Sequence, residues 1–355
     1  MLESLLRRNT EDILVVEDRQ IAGPVVGFGG RLLVEPRRAL DILKRRFGPL
    51  GYTPFLRREQ EQVWVRALPL AEVAGPGNPM VNVVLFLATC LSTLMAGSGA
   101  FFAFNPVTEP ARLLNGFPFA ITLLSILGVH EFGHYFTARY YRARVSLPYF
   151  IPFPFHIFGT LGAIIMMKSP VRDRNSLFDI AAAGPLAGLI VAIPALLLGL
   201  GWSRVIDIPP GYQGLILGDS LMMRLLVYLT FGPIPEGMDV LIHPVGLAAW
   251  VGLFVTALNL FPVGQLDGGR IAYALFGVRH RTVSMVTFVG LLALGAITGS
   301  INWFVFAFLL FFLIGFHHSP PLDDVTPLAS TRYLVGAICL VLFVLLIPPV
   351  PLHVQ

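Results

Sequence analysis

The stretch ITLLSILGVHEFGHYFTARYY, residues 121–141, places two histidines and a glutamate inside a run that otherwise reads as membrane-spanning. An ionised side chain at mid-membrane costs at least about 2.5–3.5 kcal/mol on insertion scales, so such groups mark function by default. His130 and His134 are one helical turn apart and stand on one face, with Cβ atoms about 5–6 Å apart. Two imidazoles at that spacing can hold one metal ion. Glu131 points about a quarter-turn away and can reach a water on that metal, as H-E-x-x-H helices do in metalloproteases. The chemistry is Zn²⁺ lowering the pKa of its water toward ~7, with the glutamate taking the proton and later giving it to the leaving amine. With 8 histidines in 355 residues, chance supplies about 0.005 matches to this pattern, which weighs against a mere packing role.

A catalytic zinc site needs a third protein ligand and one open position. The candidate lies in ALNLFPVGQLDGGR, residues 257–270, where an apolar span runs into Pro262 and then Asp267, Gly268 and Gly269. Pro262 breaks the helix, and the freed backbone can turn Asp267 inward. Depth agrees with the pairing. His130 is 13 residues beyond Phe117 and Asn259 is 16 residues beyond His243, or about 20 and 24 Å at 1.5 Å per residue. The plainer reading of Asp267 is a turn or capping aspartate before Gly-Gly. Asn259 could donate its amide to an oxyanion; a helix-packing amide is the equal alternative. His243 lies too far along its span to share the metal, and the adjacent His317 and His318 cannot both face one ion. His156, His280 and His353 fall in loops or tails.

Around these motifs the chain is 55% apolar and 13% charged, against about 25% charged in soluble domains. It is an integral membrane protein. Residues 1–80 hold 12 Lys or Arg and 10 Asp or Glu out of 46 charged residues in all, so a soluble N-terminal domain precedes the membrane domain. Residues 12–68 alternate β-rich runs (ILVV, VVGFGGRLLV, GYTPFLRRE, QVWVRAL) with one amphipathic helix, EPRRALDILKRRF, in which Leu40, Ile42, Leu43 and Phe47 share a face. This predicts a small α+β domain over residues 1–72, a Gly and Pro linker over 73–79, and a transmembrane domain over 80–355 with its core motifs in 117–270. Apolar runs at 80–99, 117–140, 177–200, 242–263, 281–298, 301–316 and 332–350 predict a polytopic α-helical protein with six or seven spans. The loops RYYRARV, KSPVRDR and GVRHR are basic, whereas residues 201–239 hold two arginines against four acids; the positive-inside rule makes the N-terminal domain cytosolic. No signal or transit peptide pattern opens the sequence, which points to a bacterial cytoplasmic membrane and to Met1 as the mature start. Cys90 and Cys339 sit in apolar runs, so a disulfide framework is not expected. The net charge of +4, without basic clusters interleaved with aromatics, points away from nucleic acid.

Between the second and third spans, SLPYFIPFPFHIFGTLGAIIMM carries Pro148, Pro152 and Pro154, a density that forbids a regular helix. Its second half, GTLGAIIMM, is expected as a strand or hairpin, tolerated at membrane depth only where buried in protein or lining a cavity. Gly184 and Gly188 in AAAGPLAGL are spaced for close helix packing.

HEFGH inside one span and NLFPVGQLDGG at the end of another, over 100 residues on, resemble the site-2 protease family of intramembrane zinc metalloproteases (peptidase M50-like). FGTLGAIIMMKSPVRDRNSLFDIAAAGPLAGL and HPVGLAAWVGLFVTALNL also resemble the branch of the ethylene-dependent gravitropism-deficient yellow-green proteases and their bacterial relatives. The resemblance implies one catalytic Zn²⁺ held by His130, His134 and Asp267, with Glu131 as general base and acid and Asn259 as a substrate or oxyanion contact. It further implies a substrate that is a transmembrane helix of another membrane protein, commonly pre-cleaved by a first protease. Residues Gly159, Thr160 and Gly162 fall where such enzymes are thought to hold the unwound substrate as an added strand. Two features depart from the family pattern: residues 201–239 are too few for an inserted PDZ domain, and Gly264 and Gln265 replace a proline-rich form of the second motif. The competing reading from the residues alone is a metal ion or proton transporter with an intramembrane His/Asp site; a silent scaffold has no need of charged groups in hydrocarbon.

Overall fold

The computed structural model describes residues 2–70, 77–100, 103–154, 156–208 and 215–354. The N-terminal part opens with a short helix, α1 (Leu2–Arg8), followed by strands β1 (Leu14–Ala22) and β2 (Val25–Leu32), helix α2 (Pro36–Phe47), and strands β3 (Tyr52–Glu59) and β4 (Gln62–Pro69). Pro36 presets the backbone at the first turn of α2, and Lys44, Arg45 and Arg46 suit the negative end of its dipole. Leu40, Leu43 and Phe47 fall on one face of that helix and bury against Phe28, Leu56 and Val65 of an antiparallel sheet ordered β1-β2-β4-β3. Ile42 sits at the edge of this core, half-buried. The expected strands and helix are present; α1 is additional. Most of the linker expected at 73–79 lies outside the described residues.

The membrane part begins with α3 (Pro79–Ser98) and α4 (Phe117–Tyr140), then the strands β5 (Tyr149–Pro152) and β6 (Thr160–Ile164), then α5 (Arg174–Gly201). On the far side of α5 come β7 (Arg204–Asp207), β8 (Leu215–Leu217), α6 (Leu221–Phe231) and β9 (Met238–Leu241). The chain returns through α7 (Pro244–Asn259), α8 (Asp267–Phe276), α9 (His280–Thr298), α10 (Ile301–Leu309) and α11 (Thr331–Leu346), and ends in β10 (Leu352–Val354). Four stretches among the described residues are long and apolar enough to cross a bilayer: Pro79–Ser98, Pro110–Tyr140, Arg174–Gly201 and Asp267–Thr298. The remaining apolar runs form helices of 10–17 residues, short of the roughly 20 that a 30 Å core asks of one helix. Helix α7 is short for a visible reason. His243 caps its start, and Asn259 ends it ahead of Pro262, so its last turn stops inside the protein.

Helix α5 is the hub, lying against α4, α7 and α8. Asp173 starts it with a reciprocal capping box, its carboxylate accepting from Ser176 N at 2.8 Å while Ser176 Oγ accepts from Asp173 N at 3.1 Å. At the neighbouring ends of three helices, Arg332 grips Asp179 through two bonds of 2.8 and 2.5 Å, and Tyr141 donates to the same carboxylate.

The N-terminal sheet is stitched to this bundle by a strap from residues 319–328. Leu56 N donates to Leu322 O at 2.7 Å and Asp324 N to Leu56 O at 2.9 Å, so the strap extends the edge of the sheet. Its other side pairs with the approach to α5, where Leu322 N and Asp323 N donate to Val171 O and Arg172 O at 2.9 and 2.8 Å. Asp323 is fully buried and holds the strap's turn by accepting from Val325 N, Thr326 N and Thr326 Oγ1. Replacing Asp323 by alanine orphans those buried donors and should cost about 1–3 kcal/mol, read as a lower thermal midpoint of the detergent-solubilised chain. Asp41→Ala, which removes only an exposed ion pair to Arg172 of 2.9 Å, should cost less than about 1 kcal/mol.

Candidate metal centre

Three helices deliver the cluster. Helix α4 is unbroken through HEFGH, so His130 and His134 project one turn apart toward α5, their ring centroids 4.9 Å apart. Helix α7 ends at Asn259, the chain turns through Pro262 and Gly264, and α8 begins at Asp267, whose carboxylate meets both imidazoles. Gly264 makes that turn with φ +54°, and a Cβ there would lie 2.2 Å from Gly315 O. The glycine that departs from the family's proline-rich form therefore occupies a left-handed position pressed against another backbone.

The donor atoms converge closely. His134 Nε2 lies 3.2 Å from His130 Nε2 and 3.1 Å from Asp267 Oδ2, and His130 Nε2 lies 3.4 Å from that same oxygen. An ion about 2.0–2.1 Å from each of three ligands at tetrahedral angles would separate those ligands by roughly 3.3 Å, which is what the cluster shows. All three side chains are buried. Two imidazole nitrogens and a carboxylate aimed at one point in a water-poor interior are costly without a cation among them. His134 Nδ1 faces Ile180 O at 2.7 Å; donation to that carbonyl assigns the tautomer that leaves Nε2 free to ligate. The residues present thus fit a zinc ion.

Glu131 is buried beside the cluster, against the main chain of Ile165 just past β6. Asn259 points its amide nitrogen at His130 Nε2, 3.4 Å away, and so lies beside the cluster. The expected strand or hairpin is present: β5 and β6 pair antiparallel, with Tyr149 opposite Ile164 and Pro152 opposite Thr160. Gly159, Thr160 and Gly162 are buried within it. Gly159 O accepts from Ser92 Oγ at 2.6 Å, and Thr160 Oγ1 donates to Ile151 O at 2.8 Å. Gly159 ties the hairpin to α3 and Thr160 ties β6 to β5, with Gly162 bonding back to Thr160, while Leu161, Ile164 and Met166 are exposed. His243 caps α7 and packs on Trp202, apart from the cluster; His280 is buried against Ser284, and His318 stacks on Tyr273.

Two contributors escaped the sequence reading. The Ile180 carbonyl carries no sequence signal. Gly184, expected only as a packing glycine, faces the His134 ring: a Cβ there would lie 2.1 Å from His134 Nε2.

Fold and donor set together define a polytopic membrane protein with a two-histidine, one-carboxylate metal centre and an adjacent glutamate. The chain belongs to peptidase family M50, whose model matches residues 118–298. "Probable zinc metalloprotease EGY2, chloroplastic" of Oryza sativa subsp. indica is 35% identical over 242 residues, 64% of this chain and 41% of that protein. "Probable zinc metalloprotease EGY1, chloroplastic" of Arabidopsis thaliana is 31% identical over 314 residues, 79% of this chain and 55% of that one. "Probable zinc metallopeptidase EGY3, chloroplastic" of Arabidopsis thaliana is 29% identical over 287 residues, 76% and 49% respectively. The chain spans about half the length of these relatives. Their names place them in chloroplasts, so the bacterial placement expected from the sequence draws no support from them.

Gly184→Ala should evict the ion by filling the space at His134 Nε2, lowering zinc per chain at least tenfold by elemental analysis while far-ultraviolet circular dichroism keeps its helical signal. Gly188→Ala, whose Cβ would sit 3.2 Å from the His130 Cβ, should lower it less.

Proposed function

We propose that the protein is a zinc endopeptidase that cuts a transmembrane segment of another protein within the bilayer. The observation that carries this reading is the convergence of His130, His134 and Asp267 at 3.1–3.4 Å, with Glu131 beside them, on helices of a membrane protein. A zinc ion bound there supplies Lewis acidity that makes water a competent nucleophile near neutral pH. Glu131 accepts the proton from that water and later returns it to the leaving amine. The amide of Asn259, beside His130, donates to the oxygen of the attacked carbonyl as negative charge develops there.

The substrate must present its peptide bond unwound. Among the described residues β6 pairs only with β5, and a substrate segment adding to the free edge of β6 would be held extended by main-chain hydrogen bonds beside Glu131. Six or seven spans, with the helices shorter than 18 residues crossing at a tilt or in part, fit the apolar runs. The N-terminal sheet lies against the basic loop around Arg172, on the cytosolic side by the positive-inside rule. The cut fragment is released toward that side, from a substrate already trimmed by a first protease. A transporter reading leaves Glu131 without a role.

Glu131→Gln should keep one zinc per chain and lower cleavage by at least a thousandfold. Mass spectrometry of membranes from cells carrying either form reads it: a membrane-tethered fragment accumulates only with the variant. A fragment processed equally by both forms sinks the mechanism, and metal uptake into vesicles that persists in the variant would favour transport.

A further inference from the structure

A cavity of about 730 Å³ lies between the N-terminal sheet and the membrane helices, within the 300–1,000 Å³ usual for ligand sites. Strands β3 and β4 form one wall through Arg57 and Arg66; the chain leaving β6 and the start of α8 form another through Lys168 and Arg270. Two lining residues join it to the metal centre. Ile180 offers the carbonyl that orients His134, and the main chain of Ile165 lies against Glu131.

The wall charge is lopsided. Arg57, Arg66 and Arg270 face, among the described residues, a single lining carboxylate, Asp324, whose Oδ2 accepts from Tyr273 Oη at 3.0 Å while its Oδ1 has a longer ion pair to Arg174 Nε at 3.7 Å and no hydrogen bond. Glu59, which is not in the lining, pairs with Arg66 at 2.9 Å and more loosely with Arg57 at 3.9 Å, and both arginines keep about a third of their side-chain surface exposed, 34% for Arg57 and 30% for Arg66. His318, also in the lining, contributes no charge at neutral pH, because burial first and then Arg270 and His280 bring its pKa down to about 4. Its buried Nδ1 has no hydrogen-bond partner among the described residues.

We propose that this cavity binds an extended, acid-rich segment of the substrate flanking the scissile bond, with β3 and β4 of the N-terminal domain as the selecting wall. The inference rests on the protease reading and names the substrate class for it. Nearness to Glu131 and His134 favours a polypeptide over a lipid headgroup: Ile165 and Ile180, which line the cavity, touch Glu131 and His134 on their other side. An extended segment advances about 3.3–3.6 Å per residue, so a few flanking residues suffice to reach the arginines. Opposite charges across such a contact set specificity more than bulk affinity.

The test uses the full zinc-loaded chain in detergent and three fluorescein-labelled peptides that share one apolar segment and differ in flanks of alternating Glu-Ala, Lys-Ala or Ser-Ala. Binding is read by anisotropy on the Glu131→Gln form and cleavage by mass spectrometry on the form bearing Glu131. The acidic flank should bind about tenfold tighter than the basic one. That ratio should fall to about one in Arg57→Gln/Arg66→Gln and invert in Arg57→Glu/Arg66→Glu, with zinc content per chain checking that each variant is folded. A ratio unmoved by both pairs of substitutions overturns the proposal. So does acidic-peptide binding that phosphatidylglycerol abolishes and an unlabelled acidic peptide does not, which would assign the cavity to lipid. Charge-dependent binding without cleavage of any peptide counts against the protease reading and leaves the cavity reading standing; cleavage indifferent to flank charge does the reverse.

Discussion

Three electron-pair donors share one point inside a bilayer protein, and most of the architecture answers to that constraint. His130, His134 and Asp267 sit within 3.4 Å of one another, an arrangement that the low dielectric penalises unless a cation balances it. Their approach needs α4 and α5 close together, which a side chain at Gly184 would forbid. It needs the His134 ring turned the right way, which the Ile180 carbonyl ensures. It also needs a carboxylate from a third direction, and that can arrive only where a helix stops and another starts.

The break between α7 and α8 is that place. A continuous helix through residues 257–270 would satisfy its own backbone but could present Asp267 only on one fixed face. Pro262 ends the ladder, and Gly264 bends the chain against Gly315. Asp267 then emerges in the first turn of α8, where the positive end of the helix dipole suits its charge. Backbone irregularity at membrane depth is affordable only inside protein, and here Leu260, Phe261 and Val263 are all buried. The shortness of α7 follows from the same need.

Much of this was legible because the signals are local. The i, i+4 histidines with Glu131 between them, the proline before Asp267, and the apolar runs each state their consequence within one helix or one turn. The limits expected for α4 match the observed helix at both ends. What stayed hidden is what depends on partners distant in sequence. A backbone carbonyl such as Ile180 O has no residue-type signature, and Gly184 looks like any packing glycine until the ring opposite it is known. Helix length was less legible than composition: α7, α10 and α11 are apolar throughout but are bounded early, α7 by its site and the others by Gly315 and by the prolines after Ile347.

The strap was the least readable element and changes how the N-terminal domain is understood. Residues 320–326, PPLDDVT, carry two prolines and two aspartates and look like a loop, yet their backbone joins the edge of β3 to the approach to α5. Such pairing depends on main-chain groups, which composition does not report. Its mechanical consequence is specific. Asp324 touches Tyr273 of α8, the helix that begins at Asp267, and Asp323 sits beside Asp173, which caps the helix that orients His134. The N-terminal sheet is therefore braced against both helices that complete the metal centre. A domain tethered only by a linker would move independently of the site; one braced in this way holds its wall in place beside Glu131, as the proposed reading of a flanking segment requires.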